Sequence, residues 1–286
     1  MIPLMTSFRK LLRAPSPADL AAIDPRSTPG LPKETGKDAK AWSAAEVERI
    51  GAEIASRQER LYASTRDGDD RRRLLIVLQA MDAGGKDGTV RSLGGVLNPL
   101  GLRVVSFKAP TKEERSHHFL WRIRREVPSP GNVGIFNRSH YEDVLIVRVH
   151  NLVPEETWQA RYDEINAFER ELVDDGVLLV KIMLHISKDE QRQRLSDRLD
   201  DPTKYWKYNP HDLDERARWD DYQAAYADAL TRCQEASPWY VVPADRKWYR
   251  NWAVANLVHE TLAAEKLDYP PATFDVKAEK ARLKQS

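Results

Sequence analysis

A single α/β domain, with a parallel sheet covered by helices, is the fold this sequence predicts. Three observations point to it. From about residue 70 onward, short apolar runs alternate with stretches of helical periodicity. The apolar runs lack polar alternation, as strands buried on both faces do. One run leads directly into a Gly-rich stretch that opens a helix. With 286 residues, 41% of them hydrophobic, the chain can bury a substantial core.

Taken in order, residues 1–14 set Phe8, Leu11 and Leu12 among Arg9, Lys10 and Arg13, too short and too charged for a secretory segment. An N-terminal arm is expected there, with a short amphipathic docking segment as the alternative. Residues 15–40 carry Pro15, Pro17, Pro25, Pro29 and Pro32 without any period and read as an extended arm laid over the body. Val47, Ile50, Ile54 and Leu61 then fall at helical intervals, predicting a helix over 43–63 with Ser43 as its N-cap. After the charged turn Asp67-Gly68-Asp69-Asp70, strands are predicted at 74–80, 102–107, 133–136, 177–184 and 240–242. Helices are predicted at 88–97, 113–125, 154–174, 188–199, 212–235 and 248–265. The organisation that follows is an arm over 1–42, one domain over 43–270 with a lid near 188–212, and a tail over 271–286.

The segment Ala80-Met81-Asp82-Ala83-Gly84-Gly85-Lys86-Asp87-Gly88-Thr89 follows a strand and precedes a helix, the context a P-loop requires. Gly84 and Gly85 let successive N–H groups turn into one anion-sized hollow, and the helix start adds the positive end of its dipole. Lys86 would set a point charge on the phosphate in transfer. Two positions depart from G-x-x-x-x-G-K-[ST]. Ala80 stands for the first glycine, and Asp87 for the hydroxyl residue that holds Mg²⁺. Metal binding is therefore expected from Asp82.

Asn137 and Arg138 follow the third strand, where polar residues face the ligand crevice of a parallel sheet. Arg138 could bridge donor and acceptor phosphates. The other reading of 137–143 is a polar helix start, and Glu142 and Asp143 carry no assignment by themselves. Arg194 and Arg198 lie one helical turn apart, and Lys204 and Lys207 follow the break at Pro202. They suit a lid over a polyanion; a solvated face neutralised by Asp197, Asp200 and Asp201 is equally open. Lys108, Lys112, Arg115, Arg122, Arg124 and Arg125, with Arg91, could line a channel for a long anion or lie on helix surfaces.

Lys and Arg number 45 against 44 Asp and Glu, a net charge of +1, so no global field points to nucleic acid or a membrane. No apolar run approaches a membrane span. Cys233, the single cysteine, fits a reducing compartment, and a cytoplasmic location is expected. The seven histidines show no metal spacing; His117 and His118 are adjacent and point apart. Trp206, Trp219, Trp239, Trp248 and Trp252 read as packing residues.

These motifs, with 136–145, the stretch Asp201-Pro202-Thr203-Lys204-Tyr205-Trp206-Lys207 and the stretch 238–245, resemble the polyphosphate kinase 2 family from about Gln58 to Leu262. The resemblance implies a P-loop kinase-like three-layer fold with a helical lid. It also implies phosphoryl transfer from inorganic polyphosphate to adenine nucleotides, with guanine nucleotides as an alternative. Mg²⁺ is the implied cofactor, with Mn²⁺ as a substitute, and a homodimer or tetramer the implied assembly. It makes Asp82 and Lys86 central to catalysis and has Arg138 contact phosphates; with the bridging role read above for Arg138, the expected catalytic set is Asp82, Lys86 and Arg138, and the metal is expected on Asp82. The resemblance implies phosphate contacts for Arg198, Lys204 and Lys207; the loop, strand-end and helix readings add Ala83, Gly84, Gly85, Asp87, Gly88, Thr89, Arg91, Asn137, Glu142 and Arg194 as expected phosphate or nucleotide contacts. Asn137 with Glu142 is similar to the subgroup that phosphorylates both mono- and diphosphates. An ATP-dependent nucleoside monophosphate kinase and a non-catalytic sensor are the rival readings.

Overall fold

The computed structural model describes residues 7–66 and 70–286. Residues 67–69 of the expected charged turn, and 1–6 of the arm, lie outside the described residues. Five strands form one fully parallel sheet: β1 (Arg73–Ala80), β2 (Leu102–Ser106), β3 (Val133–Asn137), β4 (Val177–His185) and β5 (Trp239–Pro243), in the order β2-β3-β1-β4-β5. β1 is central and every one of its residues is buried. That explains its continuous apolar run, since neither face meets water. β2 is an edge strand and half-exposed, and it stops before Phe107, which the expected strand included. Register pairs Leu78 with Asn137 and Ala80 with Leu184, so the C-terminal ends of three strands open onto one crevice.

Helices cover both faces. Those that frame the sheet and the cleft are α1 (Ala39–Ser64), α2 (Lys86–Gly94), α3 (Glu155–Asp174), α4 (Lys188–Leu199), α5 (His211–Ala217), α6 (Trp219–Arg232) and α7 (Lys247–Ala264). Three of the differences from expectation have a local cause. α1 begins at Ala39, so Ser43 is not its N-cap; its buried hydroxyl donates back to the Lys40 carbonyl at 2.9 Å. The helix expected over 113–125 is two short ones, Lys112–Arg115 and Trp121–Arg124; the first is closed by a capping box between Thr111 and Glu114. The helix expected over 212–235 breaks at Arg218, whose ψ of 24° leaves the helical well. In the last stretch, α8 (Val276–Leu283) stands among exposed residues. No helix among the described residues is long and apolar enough to cross a membrane.

The first described segment crosses the body. Phe8 is buried edge-on against Trp252, with ring centroids 4.8 Å apart, and Glu260 accepts from the Phe8 and Arg9 amides. Arg13 bridges Tyr240 antiparallel, and the Val241 amide donates to the Leu12 carbonyl at 2.8 Å, covering the β5 edge. Further on, the carbonyls of Ile23 and Pro25 accept from His185 Nε2 and the Asp245 amide. Of the tryptophans read as packing residues, Trp239 and Trp252 are buried, whereas Trp206 is 78% exposed.

Candidate active site

The loop between β1 and α2 is shaped by its backbone. Ala83 at φ 57° and Gly85 at φ 104° both take left-handed conformations, which turns the chain sharply before α2 starts. A side chain at Gly84 would meet the Ala80 Cβ at 2.5 Å and the Met81 carbonyl at 2.7 Å. The positive end of α2 points into the hollow so formed. Lys86 Nζ donates to the Ala80 carbonyl at 2.7 Å. Burial, and then the nearby Arg138 charge, bring its pKa down to about 8.

Two elements late in the chain hold this loop. From α4, Gln191 donates to the Asp82 carbonyl at 2.9 Å and Arg194 to the Ala83 carbonyl at 3.0 Å. Arg194 is itself buried, paired with Glu190 and bonded to the Ala244 carbonyl. Its donors thus serve the protein as well as the cleft it lines. From α7, Arg250 lies over the loop glycines: a Cβ on Gly85 would fall 2.1 Å from its Nη1, and one on Gly88 2.8 Å from its Nη2. Arg250 is buried and donates to Asn251 Oδ1; among the described residues it meets no carboxylate. Burial and the neighbouring Arg194 charge lower its pKa to about 10.

After β3, the Arg138 amide donates to the Leu78 carbonyl, and the residue sits at φ 64°. That turn sends its guanidinium to Asp82 Oδ1 at 2.9 Å, with Glu142 at 4.0 Å on its other side. Asn137 Nδ2 donates to Asp87 Oδ1 at 2.9 Å, so Asn137 joins the two loops. Burial raises the Glu142 pKa against the pull of Arg138 and Lys86.

These residues surround a cleft of about 540 Å³. Asp82 through Gly88, Asn137, Arg138, Arg194, Arg198, Lys204 and Lys207 all line it, joined by Lys108, Lys247 and Arg250. Its acidic side chains are fewer: Asp82, Asp87, Asp197 and Asp212. A second cavity of about 210 Å³ shares Asp82, Arg138 and Asp212 and adds Glu142, Tyr222 and Tyr226. Asp82 and Arg138 thus stand where the two meet. Two expected contacts lie elsewhere. Thr89 is fully buried, its hydroxyl donating to the Gly85 carbonyl, because its position on α2 faces the sheet. Arg91 is exposed on α2 and lines neither cavity.

Lys247 and Arg250 were not among the expected residues. They share a face of α7 one turn apart, just past the end of β5, where the rule that located Arg138 would also have placed them. Among the described residues, no group of three or more His, Cys, Asp or Glu side chains forms a metal cage. Mg²⁺ commonly binds through one or two carboxylates, with water and phosphate oxygens completing its shell. The carboxylates of Asp82 and Asp87 at the loop fit that kind of donor set.

Residues 39–270 match the polyphosphate kinase 2 family. The chain is similar to the AMP/ADP-polyphosphate phosphotransferase of Meiothermus ruber, 49% identical over 88% of this chain and 91% of that one. It is 42% identical to the ADP-polyphosphate phosphotransferase of Rhodopseudomonas palustris, over 84% of each. A crystal structure of polyphosphate kinase 2 from Arthrobacter aurescens superposes with a TM-score of 0.94 at 47% identity, covering 100% of this chain and 99% of that one. With its Gly-rich loop between strand and helix, its basic cleft and these likenesses, the chain belongs to the polyphosphate kinase 2 family.

Proposed function

We propose that this enzyme transfers a phosphoryl group from inorganic polyphosphate to AMP and ADP. The observation that carries the reading is the meeting of two unlike cavities at Asp82 and Arg138. The larger one holds more cations than a mononucleotide needs and suits a chain of phosphates. The smaller, with Tyr222, Tyr226 and Glu142, suits the nucleotide. A nucleotide phosphate oxygen attacks the terminal phosphorus of the chain. One P–O bond forms, the P–O bond to the next phosphate breaks, and the shortened chain leaves with the electron pair. Lys86 and the loop amides hold the oxygens of the transferred group, and Arg138 offsets charge between donor and acceptor. Asp82 orients the nucleotide and, with Asp87 near, is where Mg²⁺ would be held; the ion supplies charge neutralisation on phosphate oxygens. Positioning and electrostatics therefore carry the rate.

Incubating AMP with polyphosphate and Mg²⁺, without ATP, tests this directly. ADP and then ATP are expected, whereas an ATP-dependent monophosphate kinase yields neither. Binding of both ligands without turnover would identify a sensor. Glu142→Asn is expected to lose AMP use and keep ADP use; unchanged AMP use would overturn the subgroup assignment. Adenine is the proposed base, with guanine nucleotides as the comparison. We also propose a cytoplasmic homo-oligomer, dimer or tetramer, a state that light scattering measures.

A further inference from the structure

Behind the cleft, between the sheet and α3, several side chains that the transfer does not use meet in the dry interior. Lys181 on β4 and Glu169 on α3 form an ion pair in which neither side chain is exposed. Lys181 Nζ also donates to the Cys233 carbonyl at 2.7 Å and to the Tyr141 hydroxyl at 3.1 Å. One Glu169 oxygen accepts from the Tyr141 hydroxyl at 2.7 Å and faces His140 Nε2 at 3.2 Å. Burial works against the Glu169 anion, yet Lys181 and His140 outweigh it and hold the carboxyl below its ordinary range.

For stability alone such a pair is a poor device, because apolar side chains of similar volume often serve as well. This one does have directionality. His140 and Tyr141 both come from the short 3₁₀ turn His140–Val144, which follows Arg138 and contains Glu142. Ser139 caps that turn and accepts from buried Gln79 at 3.2 Å. The turn is thus gripped from its inner side by His140 and Tyr141. Glu142 and Arg138, their neighbours in sequence, line the smaller cavity on the other side, with Arg138 standing where it meets the larger cleft.

We propose that the Lys181–Glu169 pair, acting through Tyr141 and His140, is the positioning unit that fixes Arg138 and Glu142 for the nucleotide. This rests on the reading of the smaller cavity given above. Two variants carry the test. Tyr141→Phe removes only the hydroxyl, and Glu169→Gln with Lys181→Met removes both charges so that neither is left alone. Each is compared with the parent enzyme by thermal unfolding, by KM for AMP and for polyphosphate, and by amide hydrogen exchange over residues 138–145 without ligand. The KM for AMP, whose cavity holds both Arg138 and Glu142, should rise about tenfold, and that for polyphosphate, whose cleft shares Arg138 alone, by clearly less, as loss of one buried polar contact predicts. Exchange should quicken over 138–145 and hold steady in β4 and α3. A purely structural role lowers the unfolding temperature and leaves both KM values alone. That result, an equal rise in both KM values, or unchanged exchange over 138–145 overturns the proposal. If the parent shows no polyphosphate-dependent turnover, the functional reading fails by itself, and the exchange comparison still decides the positioning.

Discussion

Lys86 and Arg250 approach the same loop with different electrostatic consequences. Lys86 has its own hydrogen bond to the Ala80 carbonyl, so Lys86→Met should unfold close to the parent temperature yet lose about 10³-fold in kcat, as removal of a charge from a transfer site does. Asp82→Asn should be similarly inactive; near-parental turnover would remove the carboxylate from the mechanism. The Lys86 pKa of about 8 sets a pH dependence. Only the protonated amine attracts phosphate, so kcat/KM for polyphosphate should fall as pH rises above about 8, about tenfold per unit at the steepest. For stability the same shift has the opposite sign. Between about 8 and the ordinary value of 10.5, the unfolded chain keeps the proton that the folded one releases, so this group disfavours folding less as pH rises. Among the described residues Arg250 is a buried cation without a carboxylate, which costs stability until an anion arrives. Arg250→Met should therefore leave the unfolding temperature unchanged or raised, while KM for polyphosphate rises about tenfold, a trade of binding for stability.

At the scale of elements, the segment expected to act as a lid joins α4 to α5 through the short 3₁₀ turn Pro202–Lys207, held where Arg198 bonds the Lys207 carbonyl and Asp212. Lys204 is exposed and paired with Asp201, and Trp206 lies beside Lys207 in solvent. Screened surface charges contribute modestly, so Lys204→Ala with Lys207→Ala should raise KM for long polyphosphate by about three- to tenfold, without moving the unfolding temperature. The rise should shrink as salt increases, which a titration of KM against ionic strength reads. Strands β1, β3, β4 and β5 were legible in the sequence because both their faces are dry, and the Gly-rich loop that follows β1 fixed where it ends. Two helix breaks were not. Arg218 and the 116–120 stretch carry no Gly or Pro, and the helices end there through local bonding and packing that periodicity does not encode. Arg138, Lys86 and the loop were legible because they lie within a few residues of a strand end. Thr89 was misplaced because the helical phase that turns it toward the sheet becomes definite only when α2 is seen to begin at Lys86.

At the scale of the whole molecule, the segment from Phe8 to Pro29 works as a strap. It covers the β5 edge, packs on Trp252, and at Ile23 and Pro25 fastens the ends of β4 and β5. Phe8→Ala should cost about 3–5 kcal/mol, as a buried ring left as a cavity does, and thermal unfolding reads the loss. Since Asp245 accepts from Ser187 at the start of α4, loosening the strap should reach α4 as well. The position of Arg250 has a further consequence for how the enzyme comes into being. The loop it roofs leaves the ribosome early, with β1, and α7 emerges only after every strand has been made. A nascent chain then carries an anion hollow with glycines uncovered, and the roof closes only when the last large helix docks. A chain halted before Lys247 thus carries Asp82, Lys86 and Arg138 but lacks the Arg250 cation over the loop, and full capture of the phosphate chain waits on the last large helix.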